Sequence, residues 1–453
     1  MRKILYCISL FAVQVSAQDL VASPAATAPE VSTEATAPEA SAPAPTPEVS
    51  ASATTPESTI AAAAPPPPPP QQAQESTPES KTAEPAAQQE EAFVKIKAKA
   101  GEGVTFSDAS GLFELNIRTR LMFLATTEVS DDANGIDFSV RRARVGFSGS
   151  AFDPRLRYKL MLAVAPADIQ ENASGVAQRS PLLDAFIEVN ATRDLRLKLG
   201  QFVVRHNRSR VTSSSSMQLV DRSIANGEFN LDRDVGIEIN SNDLGGFGLF
   251  RYALYLGVGE GRDSLTPLHG GGMALARVET TPLGPFADYA EGDLARVAAP
   301  RLAFGGSWAY ANEVQLDRTT LGTADPDGSL FSSHNVAVDA VFAYAGIWAT
   351  AEMMWRDATA TAPSALSRSG FGGYTQVGCM LPWVDIDVAA RVGFLAPLKD
   401  SPVKDEREAG VGANWYVFGH AVKLQADLFH IWSADADFGS GVTRARLMTQ
   451  ASF

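Results

Sequence analysis

Apolar and polar residues alternate along most of the chain from about residue 111 onward. The closing stretch TRARLMTQASF (443–453) shows the pattern plainly. Phe453, Ala451, Thr449, Leu447 and Ala445 fall on one side of an extended chain, and Ser452, Gln450, Met448, Arg446 and Arg444 on the other. A strand with one apolar and one basic, wet face needs lipid or a core on one side and water on the other. Sixteen such runs can be read, near 112–124, 137–149, 155–164, 182–190, 194–202, 234–240, 248–258, 272–280, 301–310, 334–344, 347–356, 371–380, 383–394, 408–417, 420–431 and 443–453.

The connections between the runs alternate in length. AFDPR (151–155), ATRD (191–194), NDLGG (242–246), AG (345–346), PW (382–383) and FGHA (418–421) are tight, whereas 203–233, 311–333, 357–370, 395–407 and 432–442 are long. Outer-membrane barrels have this asymmetry, with short periplasmic turns and long outer loops. Residues 281–300 break it. A short turn is expected there, so either the turn is elaborated or a strand is misplaced. A soluble propeller would repeat its turn motifs blade by blade, and no such repeat is present. The pattern predicts an all-β protein: a 16-stranded antiparallel transmembrane β-barrel over 111–453, preceded by a disordered N-terminal spacer. An even strand number places both termini on the periplasmic side, and the last strand closes against the first. Its terminal Phe453 resembles the signal by which barrel-assembly machinery recognises outer-membrane proteins.

Composition changes the picture mainly at the N-terminus. A basic start, Met1-Arg2-Lys3, an apolar run over 4–14 and the small residues VSA at 15–17 read as a cleaved export signal covering 1–17. Residues 18–110 form an Ala/Pro/Glu-rich periplasmic spacer and lead-in, with six consecutive prolines at 65–70 and no aromatic before residue 92. Cell-wall contact is a sharper reading of the same segment. Removal of the signal takes Cys7 with it and leaves Cys379 as the sole cysteine, so neither a disulfide framework nor a Cys/His metal site is expected.

The formal net charge of −14 is unevenly spread. Residues 18–91 carry 11 acidic side chains and one lysine, 92–235 carry 20 basic and 17 acidic, and 236–453 carry 15 basic and 24 acidic. The barrel thus has a basic and an acidic half, unlike the concentrated basic patch of a nucleic-acid binder. The five histidines, at 206, 269, 334, 420 and 430, lie in no nucleophile motif. No catalytic residue, metal or cofactor is expected.

Several stretches resemble the phosphate-selective porin O and P family. DFSVRRARVGFSGSAFDPRLRYKL (137–160) is similar to its early hairpin, with paired arginines before a glycine–aromatic step. LLDAFIEVNATRDLRLKLGQFVVRHNRSRVTSSSSMQLVDRS (182–223) is similar to the next hairpin and an Arg/Ser-rich loop. RDVGIEI (233–239), GANWYVFGHAVKLQAD (412–427) and the last strand continue the match. The resemblance spans roughly 110–453 and implies a trimeric, 16-stranded channel favouring anions, without fixing phosphate as the substrate.

Side-chain parity supplies the candidate pathway. If the leucines, phenylalanines and valines face lipid, then Arg118, Arg120, Arg142, Arg144, Arg157, Lys159, Arg196, Lys198, Arg444 and Arg446 face water, and strands sixteen, one, two and three form one basic wall. Asp339, Glu352, Asp385, Asp387, Glu408 and Asp427 form an acidic wall, relieved by Arg356, Arg391 and Lys423, and the two walls are expected to oppose each other across the pore. Parity puts Arg141 outside, and Arg155 sits at a turn; both are expected at the rim. Any single arginine can also be a paired wall residue. The third outer loop, 203–233, carries Arg205, Arg208 and Arg210, which suit phosphate oxygens if the loop folds inward. The expected partners are small anions, outer-membrane lipids, the assembly machinery and two further copies of the chain. A general or sugar-type porin is the nearest alternative; a sugar channel would want inward aromatics, and Phe186 and Tyr416 alone make no slide. The other is a structural tether between membrane and cell wall.

Overall fold

The computed structural model describes residues 94–130, 134–169, 180–264 and 271–453. The expected export signal and most of the spacer lie outside the described residues. Twenty strands are formed: β1 (Lys95–Lys99), β2 (Gly103–Ser107), β3 (Glu114–Val129), β4 (Asn134–Ala151), β5 (Asp153–Ala163), β6 (Leu182–Asn190), β7 (Arg196–Val203), β8 (Arg233–Ser241), β9 (Phe250–Gly257), β10 (Gly272–Thr280), β11 (Arg301–Val314), β12 (Leu316–Arg318), β13 (Leu321–Ala324), β14 (Phe331–Tyr344), β15 (Ile347–Ala360), β16 (Gly370–Met380), β17 (Ile386–Pro397), β18 (Glu406–His420), β19 (Val422–Ser433) and β20 (Val442–Ser452).

Sixteen of these, β3–β11 and β14–β20, pair antiparallel with their neighbours. The pairing of β20 with β3 closes the barrel. Each of the sixteen alternating runs coincides with one stave, so period-two patterning located the wall well. Short turns gather at one end, called here the turn end, and long loops at the other. One tight turn is Ala345–Gly346, with φ of 51° and 89°; positive φ at both central residues matches the twist of the flanking strands. Along the staves the outward side chains are exposed, as at Trp308, Val338, Leu428 and Leu447. Among the described residues no helix is long and apolar enough to cross a membrane.

Two features go beyond the alternating runs. First, the sheet begins at Lys95, inside the lead-in. β20 reaches only to Arg120 of β3, and Phe453 pairs with Thr119 through both backbone groups, at 3.0 and 2.6 Å. The first residues of β3 are left over, and β2 takes them, from Val104 opposite Ile117 to Ser107 opposite Glu114. The β1–β2 hairpin therefore completes the seam. Gly103 lets it approach: its φ is 87°, and a Cβ there would sit 2.1 Å from the Ile117 carbonyl oxygen. Second, residues 281–300 are an elaborated turn rather than a misplaced strand. Their Asp288, Asp293 and part of Glu291 are buried against the third loop and the neighbouring strands.

Candidate functional site

The third loop, 204–232, occupies the lumen. Its apolar residues fit sockets on the inner wall. Leu219 packs with Ala389 and Phe429, Val220 with Met122 and Met448, and Ala225 and Phe229 with Ala337, Met354 and Leu395. Each buried leucine, valine or phenylalanine among them stabilises the loop by about 1.5–3 kcal/mol. Two short helices shape it, α2 (Arg208–Val211) and α3 (Ile224–Phe229), the latter capped by the Ser223 hydroxyl accepting from the Asn226 amide. (The earlier α1, Pro166–Ile169, lies in the second loop.)

The polar anchors of the loop come largely from the acidic half of the barrel. Arg208 donates to Asp339 at 2.5 Å and to Asp288 at 2.7 Å, and stacks on the Tyr289 ring. Glu352 accepts from Asn207 and from the Ser209 amide, and Asp427 accepts from the Val220 amide. Asp387 accepts from Gln218, Asn414 and Tyr416. Arg391 pairs with Glu408 and donates to the Asp221 carbonyl, and Arg356 pairs with Glu228. The expectation of two charged walls facing each other across open water is therefore corrected. The acidic wall is covered by the loop that it holds, and Asp385 is not part of it, lying exposed in a turn.

Open space lies along the basic wall. A cavity of about 680 Å³ at the turn end is lined by Arg118, Arg120, Arg142, Arg144, Arg157 and Lys159 from the wall and by Arg210 and Arg222 from the loop. The seam hairpin adds Lys97 and Lys99 to it. A second cavity, of about 330 Å³ at the loop end, includes Arg141, Arg444 and Arg446. Arg142, Arg210 and Arg222 line both.

The thirteen expected pathway residues divide by their partners. Arg144 pairs with Asp168, Lys159 with Asp184 at 2.8 Å, Arg444 with Glu128 at 2.5 Å and Arg446 with Asp427 at 2.7 Å. Arg210 pairs with Asp232 and still faces both cavities. Lys198 and Arg205 converge on Glu238, each at 3.2 Å, and Lys198 also lies against the Phe186 and Phe202 rings. Lys198, Arg205, Arg208 and Arg196 line neither cavity. That leaves Arg118, Arg120, Arg142 and Arg157. Among the described residues none of them has a carboxylate within 4 Å; Arg120 donates to the Ser214 hydroxyl and Arg142 lies 3.8 Å from the Met122 sulfur.

Arg141 corrects the parity argument. The β3–β4 ladder shifts register between Met122 and Phe123, which face Arg142 and Val140, so Arg141 is an extra residue. Such a bulge re-aims a side chain. Arg141 reaches Asp221 of the loop at 2.6 Å and lines the loop-end cavity. Arg155, by contrast, stays at the rim, paired with Asp153.

The loop charges feel this surplus. Burial pulls the Arg222 guanidinium down to about 10, and neighbouring Arg210 acts in the same direction. Its own donors go to the Ser209 and Thr212 carbonyls. Burial works to raise the Asp221 carboxyl, but Arg141, Arg142 and Arg446 outweigh it and hold that group well below the usual carboxylate range. Uncompensated guanidinium groups around an open cavity attract anions and repel cations.

The family model of phosphate-selective porin O and P matches residues 113–382. No curated protein matches the sequence. Solved structures that resemble the barrel include OmpT, an outer membrane protein of Vibrio cholerae folded in vitro, with a TM-score of 0.51 at 10% identity, covering 76% of this chain and 98% of that one. A trimer form of the same protein gives 0.50 at 10%, covering 75% and 99%. An anion-selective porin from Comamonas acidovorans gives 0.50 at 8%, covering 75% and 99%. Identities of this size bear on the fold alone.

Proposed function

The chain belongs to the phosphate-selective porin O and P family, and on that premise we propose that it conducts small anions, phosphate among them, along the basic side of its lumen. It is an outer-membrane channel built on a closed 16-stranded barrel. One observation carries the anion reading: Arg118, Arg120, Arg142 and Arg157 line the open space without a carboxylate partner among the described residues, while the acidic wall is engaged by the loop. An anion entering from outside meets Arg444, Arg446 and Arg141 first. It then passes between Arg142, Arg210 and Arg222, and leaves past Arg118, Arg157, Lys97 and Lys99. Guanidinium groups suit phosphate oxygens, which they bind in pairs of parallel bonds.

A sugar route would need aromatic rings along the open path. Phe186, Phe202 and Tyr255 do point inward, more than parity suggested, but they pack on one another beneath the loop. The protein acts as a homotrimer, a reading supported by the trimer form of the similar Vibrio cholerae barrel. Residues 1–17 serve as its cleaved signal and the segment to residue 110 as a periplasmic spacer ending in the seam hairpin.

Reversal potentials across a planar bilayer in a salt gradient test the main reading. Anion selectivity at low salt, with chloride current reduced by added phosphate, is expected. Cation selectivity overturns it. Anion selectivity without any phosphate effect leaves a general anion porin.

A further inference from the structure

The connection over 281–300 breaks the alternation of short and long. It joins β10 to β11, whose ladder already brings Thr280 opposite Phe304, so a few residues would close it. The chain instead folds into the mouth of the barrel. Phe286 and Val297 pack on Ala303, Val341, Ala343 and Trp348, all of them buried on the inner side of their staves. The Phe286 and Trp348 rings lie 6.1 Å apart. The inner wall of a water-filled barrel is polar. An apolar patch on that wall therefore marks a part of it that is covered, and the cover is this segment.

The segment also reaches across the mouth. Asp288 accepts from Arg251 of β9 and from Arg208 of the third loop, at 2.5 and 2.7 Å. The Glu291 carboxylate accepts from the Gln218 backbone amide and from Gln376 of β16, at 2.9 and 3.0 Å. The Glu291 backbone bonds the Ser216 carbonyl of the loop and the His420 ring of β18. Gly292 passes so near Asp387 that a Cβ would lie 3.3 Å from its carboxylate. Further on, Arg296 donates to the Leu381 and Val384 carbonyls in the β16–β17 turn. These contacts run from β9 to β18, the half of the wall that carries Asp339, Glu352 and Asp387. All three carboxylates are buried, and no residue of 281–300 lines either cavity.

We propose that residues 281–300 are a specificity-determining element, an inner closure that works with the third loop to keep passing ions away from the carboxylates of β14–β17. The proposal rests on the anion reading above and deepens it. The arginines of the basic side attract anions, but the acidic side would draw cations if water reached it from the turn end. Asp339, Glu352 and Asp387 would then share a mouth with Arg118 and Arg157, and charges of opposite sign would offset one another there. A closed acidic half leaves the sign of the field to the arginines.

Deleting residues 285–298 from the full chain, so that Gly284 joins Ala299, removes the closure and keeps the ladder. In planar bilayers the shortened protein is expected to show a larger single-channel conductance. Its reversal potential should move towards the cation side, more in about 0.1 M than in about 1 M salt. An assembled variant, recognised by its heat-dependent gel shift, with wild-type conductance and reversal potential overturns the proposal. A second measurement uses spermine, a polyvalent cation, added on the turn-end side. Wild-type current should be unaffected and the current of the shortened protein blocked. A voltage-dependent block of the wild type means that the carboxylates are within reach, and overturns the proposal. If the shortened protein does not assemble, spermine on the wild type decides. A wild type that is cation-selective removes the anion reading itself; an anion-selective wild type that the deletion leaves unchanged removes only the inner closure.

Discussion

Arg142→Glu is the sharpest test of the passage, because Arg142 lines both cavities and has no carboxylate partner among the described residues. The exchange replaces a positive by a negative charge. For an ion passing about 5 Å away in a water-like dielectric, each unit charge acts with about 0.8 kcal/mol. A change of two units shifts the anion by about 1.7 kcal/mol, a factor of roughly fifteen in its weight at that point. A cation gains by the same factor. The reversal potential in about 0.1 M salt, where the Debye length is about 10 Å, should collapse from the anion side towards or past zero; in about 1 M salt, with a length of about 3 Å, the shift should be much smaller. Arg155→Glu is the control. It is exposed at a turn and lines neither cavity, so no shift is expected. Arg142→Glu should keep its heat-dependent gel shift, since it strands no carboxylate. A folded Arg142→Glu channel as anion-selective as wild type in low salt would refute the reasoning.

Asp339→Ala removes one acceptor from each of the buried guanidinium groups of Arg208 and Arg277, which keep Asp288 and Glu279, at a cost of about 1.5–3 kcal/mol for each charged hydrogen bond lost. Single-channel recordings should show a larger and noisier conductance as the loop loosens, and an unchanged trace would mean that the loop does not limit the current. Deleting Phe453 removes its two backbone bonds to Thr119 and the exposed terminal aromatic. Pulse-chase assembly should slow and protease sensitivity should rise; wild-type kinetics would exclude a role in assembly. Gly103→Val places a side chain where only 2.1 Å separates a Cβ from a carbonyl oxygen. The midpoint of the heat-dependent gel shift should fall while the barrel still assembles, and an unchanged midpoint would show that the hairpin does not stabilise the seam.

The staves were legible because a wall with lipid on one side and water on the other leaves a period of two in every strand. The side on which each charge falls was mostly legible for the same reason. Arg141 was not, since a bulge shows itself only when both strands of the ladder are known. The seam hairpin had a weak signal: Val94, Ile96 and Ala98 alternate with Lys95, Lys97 and Lys99 before Gly-Glu-Gly. It was masked by the low-complexity segment just ahead of it. What the third loop would cover was beyond reach. Leu219, Val220 and Phe229 look like scattered apolar residues until their sockets at Ala389, Phe429, Met122 and Met354 are in view. Parity could place Asp339 and Asp427 inward, but not say that they would be tied to Arg208 and to the Val220 amide rather than to water.

The division of the lumen has a consequence for how such a protein changes over time. Most carboxylates that anchor the loop sit on one half of the barrel, and the arginines without a carboxylate partner that line the open space sit on the other. Replacing Asp339 takes a shared acceptor from two buried cations, so drift at that position is penalised. Replacing Arg118 or Arg157 strands nothing, and the chain can sample other residues there while its barrel remains intact. A lineage with this arrangement can move from one class of solute to another through single exchanges on the free half, each visible to selection only through what crosses the membrane.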